Sequence, residues 1–133
     1  MFARLDELEQ RLLGQRFLFG DYITDSDVRL YATLVRFDVA YYSAFKANRN
    51  RIVDFPNLWG YLRDLYQTPG FGDTTDFDAI KRHYHLSTHI ASDDQKGQLI
   101  LPKGPDLSGL ESEHNRKVLS NKEEKFLIRQ VKL

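Results

Sequence analysis

The chain has 133 residues, with 19 acidic and 19 basic side chains and no cysteine. That length supports one hydrophobic core and leaves no room for a second. The balanced charge supplies no overall field for nucleic acid or an acidic membrane surface, and the missing thiols exclude disulfides, thiolate metal sites and a cysteine nucleophile within these residues.

Leu5, Leu8, Leu12 and Leu13 recur at helical spacing among charged residues and ahead of Gly14, which predicts a first helix. Met1 and Phe2 already belong to its apolar stripe, so the chain is expected to begin inside an element, with further sequence upstream. Asp6 and Glu7 come before any apolar run of signal length, and no stretch of about 18 apolar residues follows. A cytoplasmic protein without a membrane span is expected.

Thr24-Asp25-Ser26-Asp27 predicts the start of a second helix. Thr24 is placed to accept from the amide three residues on, Asp27 to accept from the Thr24 amide in return, and Ile23 to pack on Val28 across the cap. The Asp27 charge also suits a helix N-terminus. Tyr31, Leu34, Asp38, Tyr41 and Phe45 then recur at three- and four-residue spacing, predicting a helix to about Phe45 or Lys46 with these residues on one face. A carboxylate on that stripe is costly without a partner, so Asp38 is expected to pair with an arginine or with a following cap.

Asp54-Phe55-Pro56 opens a third helix, with proline in the first turn where its missing N–H costs nothing. Leu58, Leu62, Leu65 and Tyr66 form its inner stripe, and Thr68-Pro69-Gly70 stops it. Thr75 to Asp78 repeats the capping pattern ahead of a fourth helix that carries Phe77, Ile80 and Tyr84 and runs to about His89.

Beyond Ala91 the character changes. Leu99-Ile100-Leu101 reads as a short extended run, and Pro102-Lys103-Gly104-Pro105 cannot be helix. Glu111 to Leu133 is charged, with a late apolar group at Phe126, Leu127, Ile128 and Val131, and its composition suits a solvated helix or a loose tail. The expected fold is all-α: about four helices over residues 1–91, then a crossing loop and charged tail over 92–133, partly helical or disordered.

His85 and His89 would share a helix face, but His83 would point elsewhere and no acidic or cysteine ligand lies nearby, so no metal site is expected. Lys46, Arg49, Arg51 and Arg63 read as a solvated face with local salt bridges, not as a nucleic-acid surface.

The segments LDELEQRL (Leu5 to Leu12), RFLFGDYITDSDVRL (Arg16 to Leu30), TLVRFDVAYYSAFKANRNRI (Thr33 to Ile52), DFPNLWGYLRDLYQTPG (Asp54 to Gly70) and IKRHY (Ile80 to Tyr84) resemble the C-terminal helical domain of glutathione transferases. The resemblance is to the glutathionyl-hydroquinone reductases, the Xi class, in particular, and ILPKGP at Ile100 to Pro105 extends it. The capping box and PNLWGYL suit many transferases, whereas the combination of RFD, DLYQTPG and IKRHY is more specific.

In that family a front thioredoxin-like domain binds glutathione and supplies a cysteine nucleophile, while the rear helical domain forms the wall of the quinol pocket. The resemblance therefore implies a truncated chain that lacks the front domain, holds no catalytic residue and no cofactor by itself, and does not turn over alone; glutathione belongs to the complete enzyme. It implies partners of two kinds, a second copy through the helical domains or a thioredoxin-like domain, and an aromatic quinol ligand.

Tyr41 and Tyr84 match tyrosines that point at the quinol, where a phenol can donate to a substrate hydroxyl or stabilise a developing phenolate. They equally suit helix packing with outward hydroxyls, and Tyr42, about 100° around the helix, competes with Tyr41. His85 stands where the family more often has a second tyrosine, which makes it a pocket-lining candidate. Ala44 and Ala47 depart from a common histidine and a common cysteine. A stand-alone helical interaction module is the alternative function.

Overall fold

The computed structural model describes residues 1–87 and 100–127. Helix α1 spans Phe2–Arg11, α2 Asp25–Arg36, α3 Tyr42–Ala44, α4 Pro56–Tyr66 and α5 Phe77–Leu86. Short 3-10 turns cover Ile52–Asp54, Gly72–Thr74, Ser108–Glu111 and Lys117–Leu119. Among the described residues the architecture is all-helical, with a single isolated bridge between Phe17 and Gly20. No described helix is long and apolar enough to cross a membrane. His89 and Leu99, and Ile128 and Val131 of the late apolar group, lie outside the described residues.

Helix α4 is the organising element. It buries Leu58, Tyr61, Leu62 and Leu65 against α1 and α2, whose Leu5, Leu12 and Leu34 complete the same cluster. Phe55 precedes Pro56 and has no capping side chain to offer. The carboxylate of Glu9 on α1 takes that role, accepting from the Asn57 and Leu58 amides at 2.7 Å each. These are two of the orphan donors at the start of α4, satisfied by an anion at the positive end of the helix.

At the start of α2 the Thr24 amide donates to Asp27 Oδ2 (2.8 Å), and the Thr24 hydroxyl donates to the same oxygen (3.1 Å). The carboxylate is fully buried. Its other oxygen accepts from the Leu18 amide (3.0 Å) and the Tyr61 hydroxyl (2.7 Å), so one side chain joins the cap of α2, the turn after α1 and the middle of α4.

The helix predicted from Thr24 to Phe45 forms with an interruption. Residues Phe37–Tyr41 make a π turn between α2 and α3. The wider turn inserts a residue and rotates everything after it. Tyr31 and Leu34 are buried, as are Phe37, Val39 and Ala40, whereas Phe45 is 55% exposed. The five residues assigned to one face therefore do not share one. Asp38 finds a following cap: its carboxylate accepts from the Ile52 (2.6 Å) and Val53 (3.3 Å) amides at the next 3-10 turn. Burial pushes the Asp38 carboxyl up, and those two amides oppose it.

Helix α5 starts one residue later than predicted. Its N-cap is Asp76, which accepts from the Ala79 amide. Thr75 is engaged elsewhere: its hydroxyl meets the Tyr31 hydroxyl at 2.7 Å and donates to the Phe71 carbonyl at 2.8 Å.

Residues 100–127, expected to hold a loop and a loose or solvated tail, pack against α4 and the α1–α2 connection. Leu110 is 3% exposed and Arg116 is also buried. Arg116 donates to the carbonyls of Leu12 (2.7 Å), Gln15 (2.6 Å) and Arg16 (3.1 Å). Its stem lies 3.2 Å from where a Cβ on Gly60 would stand, so a side chain there would crowd the arginine.

Candidate functional site

Tyr41 and Tyr84 come together. Tyr41 ends the π turn and Tyr84 lies near the end of α5; their rings meet edge to face at 5.3 Å with hydroxyls 3.4 Å apart. Phe45 closes a triangle with them, its ring 5.5 Å from Tyr41 and 5.7 Å from Tyr84. His83 lies edge-on to Tyr84 at 4.8 Å. On the inner side Tyr41 packs on Phe37, which packs on Phe2 of α1, so the aromatic row runs from the core to the surface. Such edge-to-face pairs fix ring orientation beyond what burial alone does.

Burial, reinforced by the neighbouring Tyr84 hydroxyl, pushes the Tyr41 phenol up to about 12. Tyr41 is therefore a neutral hydrogen-bond donor at any ordinary pH, suited to an oxygen acceptor and unsuited to act as a base.

His85 does not join the ring cluster. Its Nε2 lies 3.3 Å from the Val39 carbonyl and 3.3 Å from the Ser43 hydroxyl, on the flank of the π turn. It braces the backbone that presents Tyr41. Ala47 is a core residue whose amide donates to the Tyr41 carbonyl (3.2 Å), directly after Lys46 at φ 54°.

Two clefts with mainly apolar walls lie elsewhere. One of about 530 Å3 runs between α2 and the start of α5, past Tyr31, Val35, Thr75 and Ile80. Another of about 310 Å3 lies between α2, Trp59 and Leu107 to Leu110. Neither is lined by Tyr41, Tyr84 or His85. The tyrosines thus form one side of a surface, not the wall of either cleft.

Arg49, Arg51 and Arg63 have partners close by. Arg49 forms a two-pronged contact with Asp6 on α1 (3.0 and 2.5 Å) and covers the Phe2 ring. Arg51 pairs with Asp54 at 3.1 Å, and Arg63 donates to the Glu113 carbonyl. Among the described residues no three His, Asp or Glu side chains converge as a metal site would need.

A family model described as the C-terminal domain of glutathione S-transferase matches residues 1–64. The chain is also 48% identical over 87 residues to glutathionyl-hydroquinone reductase YqjG of Escherichia coli K12, a match covering 65% of this chain and 26% of that protein. Over these residues the chain is similar to the glutathione S-transferase C-terminal domain family.

Solved structures extend this similarity over most of the chain. A glutathione transferase from Gordonia bronchialis superposes with a TM-score of 0.83 at 50% identity, over 91% of this chain and 36% of that one. Glutathione-bound YqjG gives 0.78 at 42%, over 88% and 36%. A Xi-class transferase from Natrialba magadii gives 0.79 at 39%, over 88% and 34%. The chain spans about a quarter of the length of the curated relatives it matches, from 22% to 29%.

Two groups escaped sequence reasoning. Phe45 and His83 complete the aromatic cluster; the spacing puts Phe45 on one face with Tyr31 and Leu34 because the π turn carries no periodicity signal of its own. The second group, Arg16, Asp64, His114 and Lys125, is assembled from three distant segments, and nothing local in the chain announces it.

Proposed function

We propose that this chain is the quinol-side helical part of a glutathionyl-hydroquinone reductase, with Tyr41 and Tyr84 presented to the aromatic substrate and the sulfur chemistry supplied by a thioredoxin-like domain carrying glutathione and a cysteine. The observation that carries this reading is the Tyr41–Tyr84 contact, in which two phenols stand 3.4 Å apart at the outer end of an aromatic row. The family match and the similarity to YqjG support it, and the YqjG structure with glutathione supports glutathione as the co-substrate.

In the proposed reaction a cysteine thiolate attacks the sulfur of an aryl glutathionyl thioether. The bond from sulfur to ring carbon breaks, its electron pair leaves with the ring, the carbon takes a proton, and the enzyme is left as a mixed disulfide with glutathione. No atom of these 133 residues can play the thiolate. The neutral Tyr41 phenol can donate to a quinol oxygen as charge develops on the ring, while His85 holds the π turn behind it.

The same reading includes a cytoplasmic location and pairing, through this domain, with a second copy or with the thioredoxin-like domain. Leu13 and Phe19, 62% and 65% exposed beside α1, support a covered face there.

The test is reconstitution. The purified chain with glutathione should leave a glutathionyl-hydroquinone untouched, and adding a thioredoxin-like domain of the family in trans should restore turnover. The Tyr41→Phe, Tyr84→Phe double variant should then lose about tenfold or more in kcat/KM. Turnover by the chain alone would overturn the proposal. A complex that forms without turnover would favour the interaction-module alternative.

A further inference from the structure

We propose that the cleft above Asp64, between the end of α4 and the tail, is a binding site for a phosphate-type dianion, independent of the aromatic site. Asp64 lies fully buried near the end of α4. Arg16 donates to both of its oxygens (2.7 and 2.9 Å), and the Lys125 ammonium stands 2.8 Å from the same carboxylate. One carboxylate thus faces two cations whose side chains are only 4% and 22% exposed. A unit of positive charge is left over where solvent compensates it poorly, and such a charge favours a counter-ion.

The site lies directly over this excess. A cleft of about 650 Å3 is lined by Arg16, His114 and Lys125 at its floor and by Lys117 and Lys122 at its rim. Ser120 and Asn121 add neutral donors, and Glu123 is the one acidic residue in the lining. Lys125 is fully committed, donating also to the Asp64 carbonyl and the Thr68 hydroxyl. The Lys117 and Lys122 ammonium groups have no protein acceptor among the described residues, which leaves them available to a ligand.

His114 reports the local field. Burial holds its ring below the ordinary value; Asp64 pulls it up, and Lys125, Arg16 and Arg63 push it down. In the neutral ring Nδ1 accepts from the Arg116 amide (3.2 Å), and Nε2 stands 3.5 Å from Asp64. Arg63 and Arg116, the other cations packed around this region, are committed to carbonyl oxygens.

The cations converge on one cleft in a chain of zero net charge. That arrangement suits a compact, doubly charged oxyanion, not an extended polyanion, which needs a stripe of charge. The cleft is larger than orthophosphate, so both free orthophosphate and a small phosphomonoester carry the chemistry it recognises.

The experiment titrates inorganic phosphate, and separately phenyl phosphate, into the isotope-labelled full chain at neutral pH. Ionic strength is held constant with chloride, and amide shifts are followed by NMR. Saturable shifts centred on Lys117 and Ser120 to Lys122 are expected. Tighter binding of phenyl phosphate would assign a phosphomonoester, and equal binding free orthophosphate. The Lys117→Gln, Lys122→Gln variant alters only exposed side chains; it should keep the wild-type circular dichroism and weaken binding about tenfold or more. Shifts that never saturate, shifts reproduced by chloride, or unchanged affinity in the double variant would overturn the assignment.

Discussion

The hydroxyl of Tyr61 donates to the carboxylate of Asp27 across 2.7 Å, and neither residue is exposed at all. Burial first, and then the adjacent Asp27 charge, hold the Tyr61 phenol protonated far above its ordinary range. Ionisation of Tyr61 therefore does not break this bond at any ordinary pH.

Tyr61→Phe leaves Asp27 with one donor fewer in a dry environment, and should cost about 1–3 kcal/mol in urea unfolding. Asp27→Ala removes the acceptor shared by the Leu18 amide, the Thr24 amide and the Tyr61 hydroxyl, and should cost more, about 3–5 kcal/mol. Equal losses for the two variants would show that Asp27 acts mainly through Tyr61 and that its role at the start of α2 is minor.

Arg116→Met keeps much of the stem volume against Gly60 but removes the donors to Leu12, Gln15 and Arg16. The expected loss is about 2–4 kcal/mol. Hydrogen exchange should also accelerate at the Leu110, Ser112 and Leu119 amides, whose bonds close the 3-10 turns of the tail. Unchanged exchange at those amides would mean that the other anchors of the tail, Leu110, Lys125 and the Arg63 contact with Glu113 among them, hold it without Arg116.

Acid should unfold the protein in two stages. The folded His114 titrates below its ordinary value of 6.5, so its contribution is present above that value and lost as pH falls through the folded one. Asp64 follows the same sign: burial pushes it up, but Arg16 and Lys125 outweigh that and hold it below 3.8, so its contribution is lost only in stronger acid. Asp38 is raised and works in the opposite direction, its penalty relieved as pH falls through its folded value above 3.8, before Asp64 begins to lose. Urea midpoints measured across pH should fall first below about 6.5, and His114→Gln should remove that first stage while sparing the second. A flat profile through the first range would refute the assignment to His114.

Tyrosine ionisation, followed by ultraviolet difference absorbance, should include one group near 12, Tyr41. Burial sets most of its displacement and the Tyr84 hydroxyl adds to it, so Tyr84→Phe should bring that group down towards 10. No change in the variant would mean that the two hydroxyls do not interact in solution.

A Cβ at Gly72 would lie 2.4 Å from the Tyr66 carbonyl oxygen, a contact that backbone cannot relieve by a rotamer change. Gly72→Ala should therefore destabilise the turn between α4 and α5 by about 1–3 kcal/mol, read as a lower thermal midpoint.

Much of the helical plan was legible because its signals are local. Thr24 and Asp27 at the start of α2, and Pro56 in the first turn of α4, mark boundaries through chemistry confined to a few neighbours. The one-residue error at α5 arose because Thr75 has a second suitor, the Tyr31 hydroxyl on another helix, which leaves capping to Asp76. The π turn at Phe37–Tyr41 was invisible because its apolar residues continue the helical spacing while the backbone does not. For the site, family likeness brought Tyr41 and Tyr84 into view, but the contact of His85 with the Val39 carbonyl is made inside the π turn, which the spacing does not announce. The tail misled most. Charge composition argues for solvent, yet Arg116 and Lys125 extend their stems inward to backbone carbonyls about a hundred and about sixty residues earlier.

Synthesis on the ribosome gives the Arg116 anchor a temporal meaning. The carbonyls after α1 emerge early, but the guanidinium that satisfies them is translated 104 residues after Leu12. Until then the nascent chain carries an unfinished seam along α4, and its helices can collapse without locking. The segment around Arg116 is thus the one that commits the connection after α1 to its final place, so premature termination between α5 and Arg116 would release a product that is helical but unsealed.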